Sequence, residues 1–141
     1  MKTLIITNNR LVYDSFSPAG IDGTKNSFIE FREDASQLDI LKRARDLIHL
    51  GGKLIIHPMM GRVRPNETPY KSVFMEIPDD PESVSGSFST DFMSLQIIED
   101  SIHETEKFIN NTYMIKYTDE MLPDLRYIDY LLIRNGMEEY R

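Results

Sequence analysis

Four short apolar runs, separated by helical and turn-rich stretches, constrain the fold more than any other feature of this sequence. Leu4-Ile5-Ile6, Ser27–Phe31, Lys53–Ile56 and Ser72–Ile77 are each too brief for a stable helix, which predicts short buried strands. Asn8-Asn9 closes the first run and Pro78 the last. Between the first two, Ser17-Pro18-Ala19-Gly20 and Asp22-Gly23 are turn chemistry and leave room only for a short helix or an irregular crossover. After the second, Asp34 as N-cap with Gln37 as its reciprocal partner opens a helix carrying Leu38, Leu41, Ala44 and Ile48, which Gly51-Gly52 ends. Strands interleaved with helices predict an α/β fold: a single-domain, Rossmann-like sandwich with three to four strands in a mostly parallel or mixed sheet and flanking helices. The connection between the third and fourth runs has no helical pattern, so those strands are parallel through an irregular crossover or antiparallel through a wide loop. A mixed sheet is slightly favoured.

Residues 78–91 hold Asp79, Asp80, Glu82 and Asp91 with only Val84 and Phe88 as large apolar groups, the composition of an acidic mobile loop. From Asp91 onward Phe92, Leu95, Ile98, Ile102, Thr105 and Ile109 keep a helical stripe. Pro123 suits the first turn of a last helix with Leu122, Leu125, Ile128, Leu131 and Leu132 apolar, and Gly136 suits its stop. The chain is expected to form one domain over 1–141 with a helical C-terminal portion at 91–136. Leu125, Ile128 and Leu132 also leave a homo-oligomer open.

A net charge of −7 and a pI near 4.9 repel nucleic acid and anionic lipid over most of the surface, so neither is an expected partner. With no cysteine, disulfides, thiolate metal sites and a thiol relay are excluded. The first residues carry too short an apolar core for a signal peptide or membrane span, so a cytoplasmic location is expected. His49, His57 and His103 do not form a two-histidine zinc motif, and no glycine fingerprint for a phosphate or dinucleotide is present, so no metal and no cofactor are expected.

Against this acidic background, residues 57–71 (His-Pro-Met-Met-Gly-Arg-Val-Arg-Pro-Asn-Glu-Thr-Pro-Tyr-Lys) carry +2, leaving −9 on the other 126 residues. Pro58, Pro65 and Pro69 stiffen the segment, and an ordered loop loses less entropy on binding, roughly 1–2 kcal/mol for each residue already fixed. In open α/β sheets ligands collect beyond the carboxyl ends of strands, where both Asn8-Asn9-Arg10 and His57-Pro58 fall. The expected ligand-binding set is therefore Asn8, Asn9, Arg10, Arg62, Arg64, Asn66, Thr68, Tyr70 and Lys71, a donor-rich cluster suited to a carboxylate or phosphate. His57 and Glu67 are the candidate acid–base groups should the protein be an enzyme, and Gly61 permits a positive backbone angle or a close approach.

His57-Pro58, Gly61 and the run Arg64-Pro65-Asn66-Glu67-Thr68-Pro69-Tyr70-Lys71-Ser72, together with Thr7-Asn8-Asn9, resemble the signature of the GrdX family. That resemblance implies a small protein encoded beside the glycine, sarcosine and betaine reductases of amino-acid-fermenting anaerobes, and it brings no catalytic residues to carry over. Two functions follow as expectations. The first is an accessory protein of the reductase system, its 57–71 loop binding a small anion or an acidic partner such as a reductase subunit. The second is an enzyme acting on a carboxylate or phosphorylated metabolite through His57 and Glu67.

Overall fold

The structure, a computed structural model, describes residues 2–21, 23, 27–61, 63–79, 90–111 and 117–140. The chain runs β1 (Lys2–Thr7), α1 (Arg10–Phe16), β2 (Ser27–Phe31), α2 (Gln37–His49), β3 (Lys53–Leu54), β4 (Ser72–Ile77), α3 (Phe92–Asn111) and α4 (Leu122–Tyr140), with a 3-10 turn at Asp119–Met121 before α4. Residues 80–89, most of the acidic loop expected over 78–91, lie outside the described residues, as does Arg62.

The four strands form one mixed sheet in the order β2-β1-β4-β3. β1 pairs parallel with β2, whereas β4 pairs antiparallel with both β1 and β3. The wide-loop alternative for residues 57–71 is therefore the one adopted. β3 is shorter than the 53–56 run: its ladder covers Lys53 and Leu54, with one further bond from Ile55 N–H to the Phe74 carbonyl at 3.0 Å.

Alternation along the two central strands divides the core between two faces. Leu4, Ile6, Val73 and Met75 pack with Ile40, Leu41, Ala44, Leu47 and Ile48 of α2 and Ile98 and Ile102 of α3. Ile5 and Phe74 point the other way, into Val12 and Phe16 of α1 and Tyr130, Ile133 and Met137 of α4. Covering both faces with helices explains why β1 and the middle of β4 read as continuous apolar runs rather than alternating ones.

Two helix boundaries differ from the sequence reading. The N-cap of α2 is Ser36, not Asp34: its hydroxyl accepts from Asp39 N–H, and the Asp39 carboxylate accepts from Ser36 N–H. Gln37, the expected capping partner, is buried and turned towards the 57–71 loop. Gly136 does not stop α4, which continues to Tyr140. It is buried, and a Cβ there would lie 2.2 Å from Ile56 Cδ1, so its role is the close approach of helix to loop. At the end of α2 the expected glycines do serve, Gly51 and Gly52 N–H donating back to the Ile48 and Leu47 carbonyls.

Candidate functional site

Because β4 runs antiparallel to its neighbours, its amino end meets the carboxyl end of β1, with Thr7 opposite Ser72. Asn8-Asn9-Arg10 leaves β1 there, Arg32-Glu33 leaves β2, and Lys71 enters β4. The 57–71 loop lies along this edge and is held by side chains from across the chain. Asn8 Nδ2 donates to the carbonyls of Ala35 and Pro69, both at 2.9 Å, and Asn8 Oδ1 accepts from Lys71 N–H at 2.9 Å. Gln37 Nε2 donates to the carbonyls of Pro65, at 2.8 Å, and Thr68. Asn9 caps α1 through Oδ1 and reaches α4 through Nδ2, which donates to Arg126 O and Asp129 Oδ2. The amides of Asn8 and Asn9 are thus committed to protein partners.

The remaining predicted site residues separate. Arg10 pairs with Glu33 at 3.1 Å on the surface and lies over the Phe31 ring. Arg64 is exposed and 3.8 Å from Glu67. His57 is exposed, its Nδ1 accepting from Met59 N–H at 3.1 Å. Asn66 is buried, with no hydrogen-bond partner for Oδ1 among the described residues. Thr68 Oγ1 accepts from Tyr70 N–H. Gly61 takes the positive backbone angle expected of it, φ 111°, against Leu132 of α4. Of the three cavities described below, His57 borders one and Glu67 none.

What the edge does assemble falls into two places. The first is a small pocket under the loop. Lys71 is drawn inward, its Nζ donating to the Pro58 carbonyl at 2.7 Å, and it lines two cavities of about 30 Å³ each together with Asp129, Met60 and Leu132. His57 borders the first cavity, Tyr70 and Thr68 the second. Asp129 Oδ2 accepts from Asn9 Nδ2 at 3.0 Å and from Ser72 Oγ at 2.7 Å. Since the Ser72 proton is used there, Thr7 Oγ1 donates to Ser72, at 2.7 Å, and itself accepts from Asn9 N–H. Burial raises the Asp129 pKa, against the pull of the Asn9 and Ser72 hydrogen bonds and the Lys71 charge. Burial likewise lowers that of Lys71, against the pull of Asp129. Each group is thereby pushed towards its neutral form.

The second place is a more open cleft of about 450 Å³ between α1, the end of β2, the loop and α4, bordered by Asn8, Arg10, Asp14, Glu33, Tyr70 and Arg126. Arg126 Nη1 donates to the Tyr70 hydroxyl at 2.8 Å, and its guanidinium lies 5.8 Å from the Tyr70 ring centre.

Asp129 and Arg126, central to these two places, were not singled out in the sequence. Asp129 had a readable signal: it falls between Leu125 and Ile133 at four-residue spacing, a carboxylate on the buried stripe of its helix. Arg126 had none, being one polar residue among many on a surface helix. Among the described residues no group of three His, Asp or Glu side chains is placed to hold a metal ion, and no helix is long and apolar enough to cross a membrane.

The molecule is thus a small α/β sandwich whose polar chemistry gathers at one sheet edge, beneath a loop ordered by prolines and by amides from β1 and α2. The chain belongs to the GrdX-like protein family, whose model matches residues 4–138. No curated protein and no solved structure matches it.

Proposed function

We propose that the protein is a cytoplasmic accessory component of a glycine, sarcosine or betaine reductase system that binds a small, singly charged carboxylate in the Arg10–Tyr70–Arg126 cleft. The observation that carries this reading is Arg126: its guanidinium faces the cleft with a neutral partner, the Tyr70 hydroxyl, whereas Arg10 is already matched by Glu33. A guanidinium whose side-chain partner is uncharged is ready to take a carboxylate in a two-point contact. Asp14 and Glu33 border the same cleft and would repel a multiply charged phosphate, so selectivity favours one negative charge. The loop contributes Tyr70 and its anchored backbone rather than its cations, a shift from the expectation that Arg64 and Lys71 bind the anion directly. Membership of the family supports the reductase setting.

Thermal-shift titration with acetate, glycine, betaine, acetyl phosphate and inorganic phosphate tests the reading. A carboxylate that binds here stabilises the fold by about 2.7 kcal/mol at a hundred times its Kd. Arg126→Gln should weaken that binding by about 10- to 100-fold, the loss of one charge-assisted contact. Stabilisation by none of these ligands, or an unchanged titration in Arg126→Gln, would sink it.

A further inference from the structure

The pocket under the loop is separate from the carboxylate cleft and holds a different chemistry. An ammonium group has three N–H donors to satisfy, yet the described surroundings of Lys71 Nζ offer one strong acceptor, the Pro58 carbonyl at 2.7 Å, and one weak one, Met59 Sδ at 4.0 Å. A neutral amine has two N–H groups and a lone pair, and those two acceptors match it. Asp129 lines both cavities beside Lys71. Both of its hydrogen bonds are received at Oδ2, so Oδ1, with no hydrogen-bond donor among the described residues, is the oxygen able to carry a proton. The rest of the wall is largely apolar, with Ile56, Leu132 and Ile133 in the first cavity and Val63, Leu125 and Ile128 in the second. Met60 borders both cavities and is half exposed, a flexible side chain at the entrance.

We propose that Lys71 is a reactive amine that forms an imine with a small uncharged carbonyl compound, Asp129 serving as its proton donor and acceptor. The Nζ lone pair attacks the carbonyl carbon while Asp129 protonates the oxygen. The nitrogen returns a proton to the Asp129 carboxylate, leaving a carbinolamine. Asp129 then protonates the hydroxyl, the carbon–oxygen bond breaks, water leaves and the carbon–nitrogen double bond forms. The iminium returns its proton to the carboxylate. Amine and carbonyl become imine and water with no change of oxidation state, and the Asn9–Asp129–Ser72–Thr7 hydrogen bonds hold the carboxyl in place throughout. The cavities set the size of the partner: each has room for about one or two waters, which suits an aldehyde of about one or two carbons. Burial favours the neutral amine and so leaves more of it nucleophilic at a given pH, the usual route to an imine-forming lysine.

The experiment treats the full chain with limiting acetaldehyde and cyanoborohydride near neutral pH, where hydride fixes any imine as an ethylated amine, and maps the modified lysines by peptide mass spectrometry. Lys71 should be labelled several-fold faster than the exposed Lys42 and Lys53, which lack a neighbouring carboxyl in a shared cavity to pass the protons. Asp129→Asn should slow labelling of Lys71 several-fold and leave Lys42 and Lys53 unchanged. Labelling of Lys42 and Lys53 with Lys71 untouched in the unaltered protein overturns the proposal without any appeal to a variant. Equal labelling of Lys71 in a folded Asp129→Asn protein overturns the role of Asp129.

Discussion

Asp129 is the residue at which electrostatics and packing are most at odds. Its carboxyl is held among apolar helix residues by Asn9 and Ser72, and burial raises its pKa above the ordinary 3.8. A group whose folded pKa is raised stabilises the fold fully below its unfolded value and loses that contribution as pH rises through the folded one. The melting temperature of the unaltered protein should therefore improve relative to Asp129→Asn as pH falls from neutrality towards about 4. Asp39 and Asp91, whose pKa values are lowered by hydrogen bonds to Ser36 and Ser94, act in the opposite sense, but they are present in both proteins and cancel in the difference. A difference that stays flat across this range would show that Asp129 titrates as an ordinary carboxyl. Lys71 moves the other way: its pKa is lowered, so its contribution is present above 10.5 and is lost as pH falls through the lowered value. The two groups thus favour folding at opposite ends of the pH scale.

Among the elements, α2 depends most visibly on its first turn. Ser36 and Asp39 satisfy each other's backbone N–H groups, and Ser36→Ala should cost about 1 kcal/mol, read as a lower denaturation midpoint with an unchanged m-value. Asp34→Ala should leave that midpoint nearly unchanged, and the reverse ranking would move the cap back to Asp34. Both residues can cap, and the helical stripe of Leu38, Leu41, Ala44 and Ile48 is compatible with either start. What decides between them is tertiary: Ala35 packs against the core and its carbonyl is taken by Asn8, which keeps the chain extended until Ser36. Gly136 misled for a similar reason. A glycine near the end of an apolar stripe usually stops a helix, but here it makes room for Ile56, a residue 80 positions earlier. The strands were legible because their boundaries are written locally, in β-branched runs closed by Asn8-Asn9 and Pro78. β3 was overread because the Ile55 and Ile56 side chains are apolar for packing under α4, while the ladder with β4 covers Lys53 and Leu54 and only one further bond, from Ile55 N–H, reaches β4.

At the scale of the molecule, the sheet edge is assembled from segments far apart in sequence, which explains how much of the site could be read in advance. The nearness of residues 57–71 to Asn8 was legible, because position after a strand is a property of one segment. The partners that decide what the loop does, Gln37 in α2 and Arg126 and Asp129 in α4, become neighbours only through the packing of helices on both faces. Asn8 is the centre of that assembly. Asn8→Ala would remove hydrogen bonds to Ala35 O, Pro69 O and Lys71 N–H at once, leaving partly buried backbone groups without partners. At roughly 1–3 kcal/mol for each unsatisfied group that stays dry, a total loss of about 3 kcal/mol is expected, partly recovered where water reaches the carbonyls. Arg64→Ala makes the informative control: its pair with Glu67 is exposed and 3.8 Å long, and its removal should change stability by less than about 1 kcal/mol despite lying in the same loop. Denaturant unfolding gives both totals, and limited proteolysis between residues 57 and 71 shows where the loss is felt, since a loop released from Asn8 should be cut faster under conditions in which the rest of the fold persists. If Asn8→Ala proves no costlier than Arg64→Ala, the loop is held by its own prolines and not by the end of β1, and the carboxylate cleft that depends on Tyr70 would have to be ordered by the ligand itself.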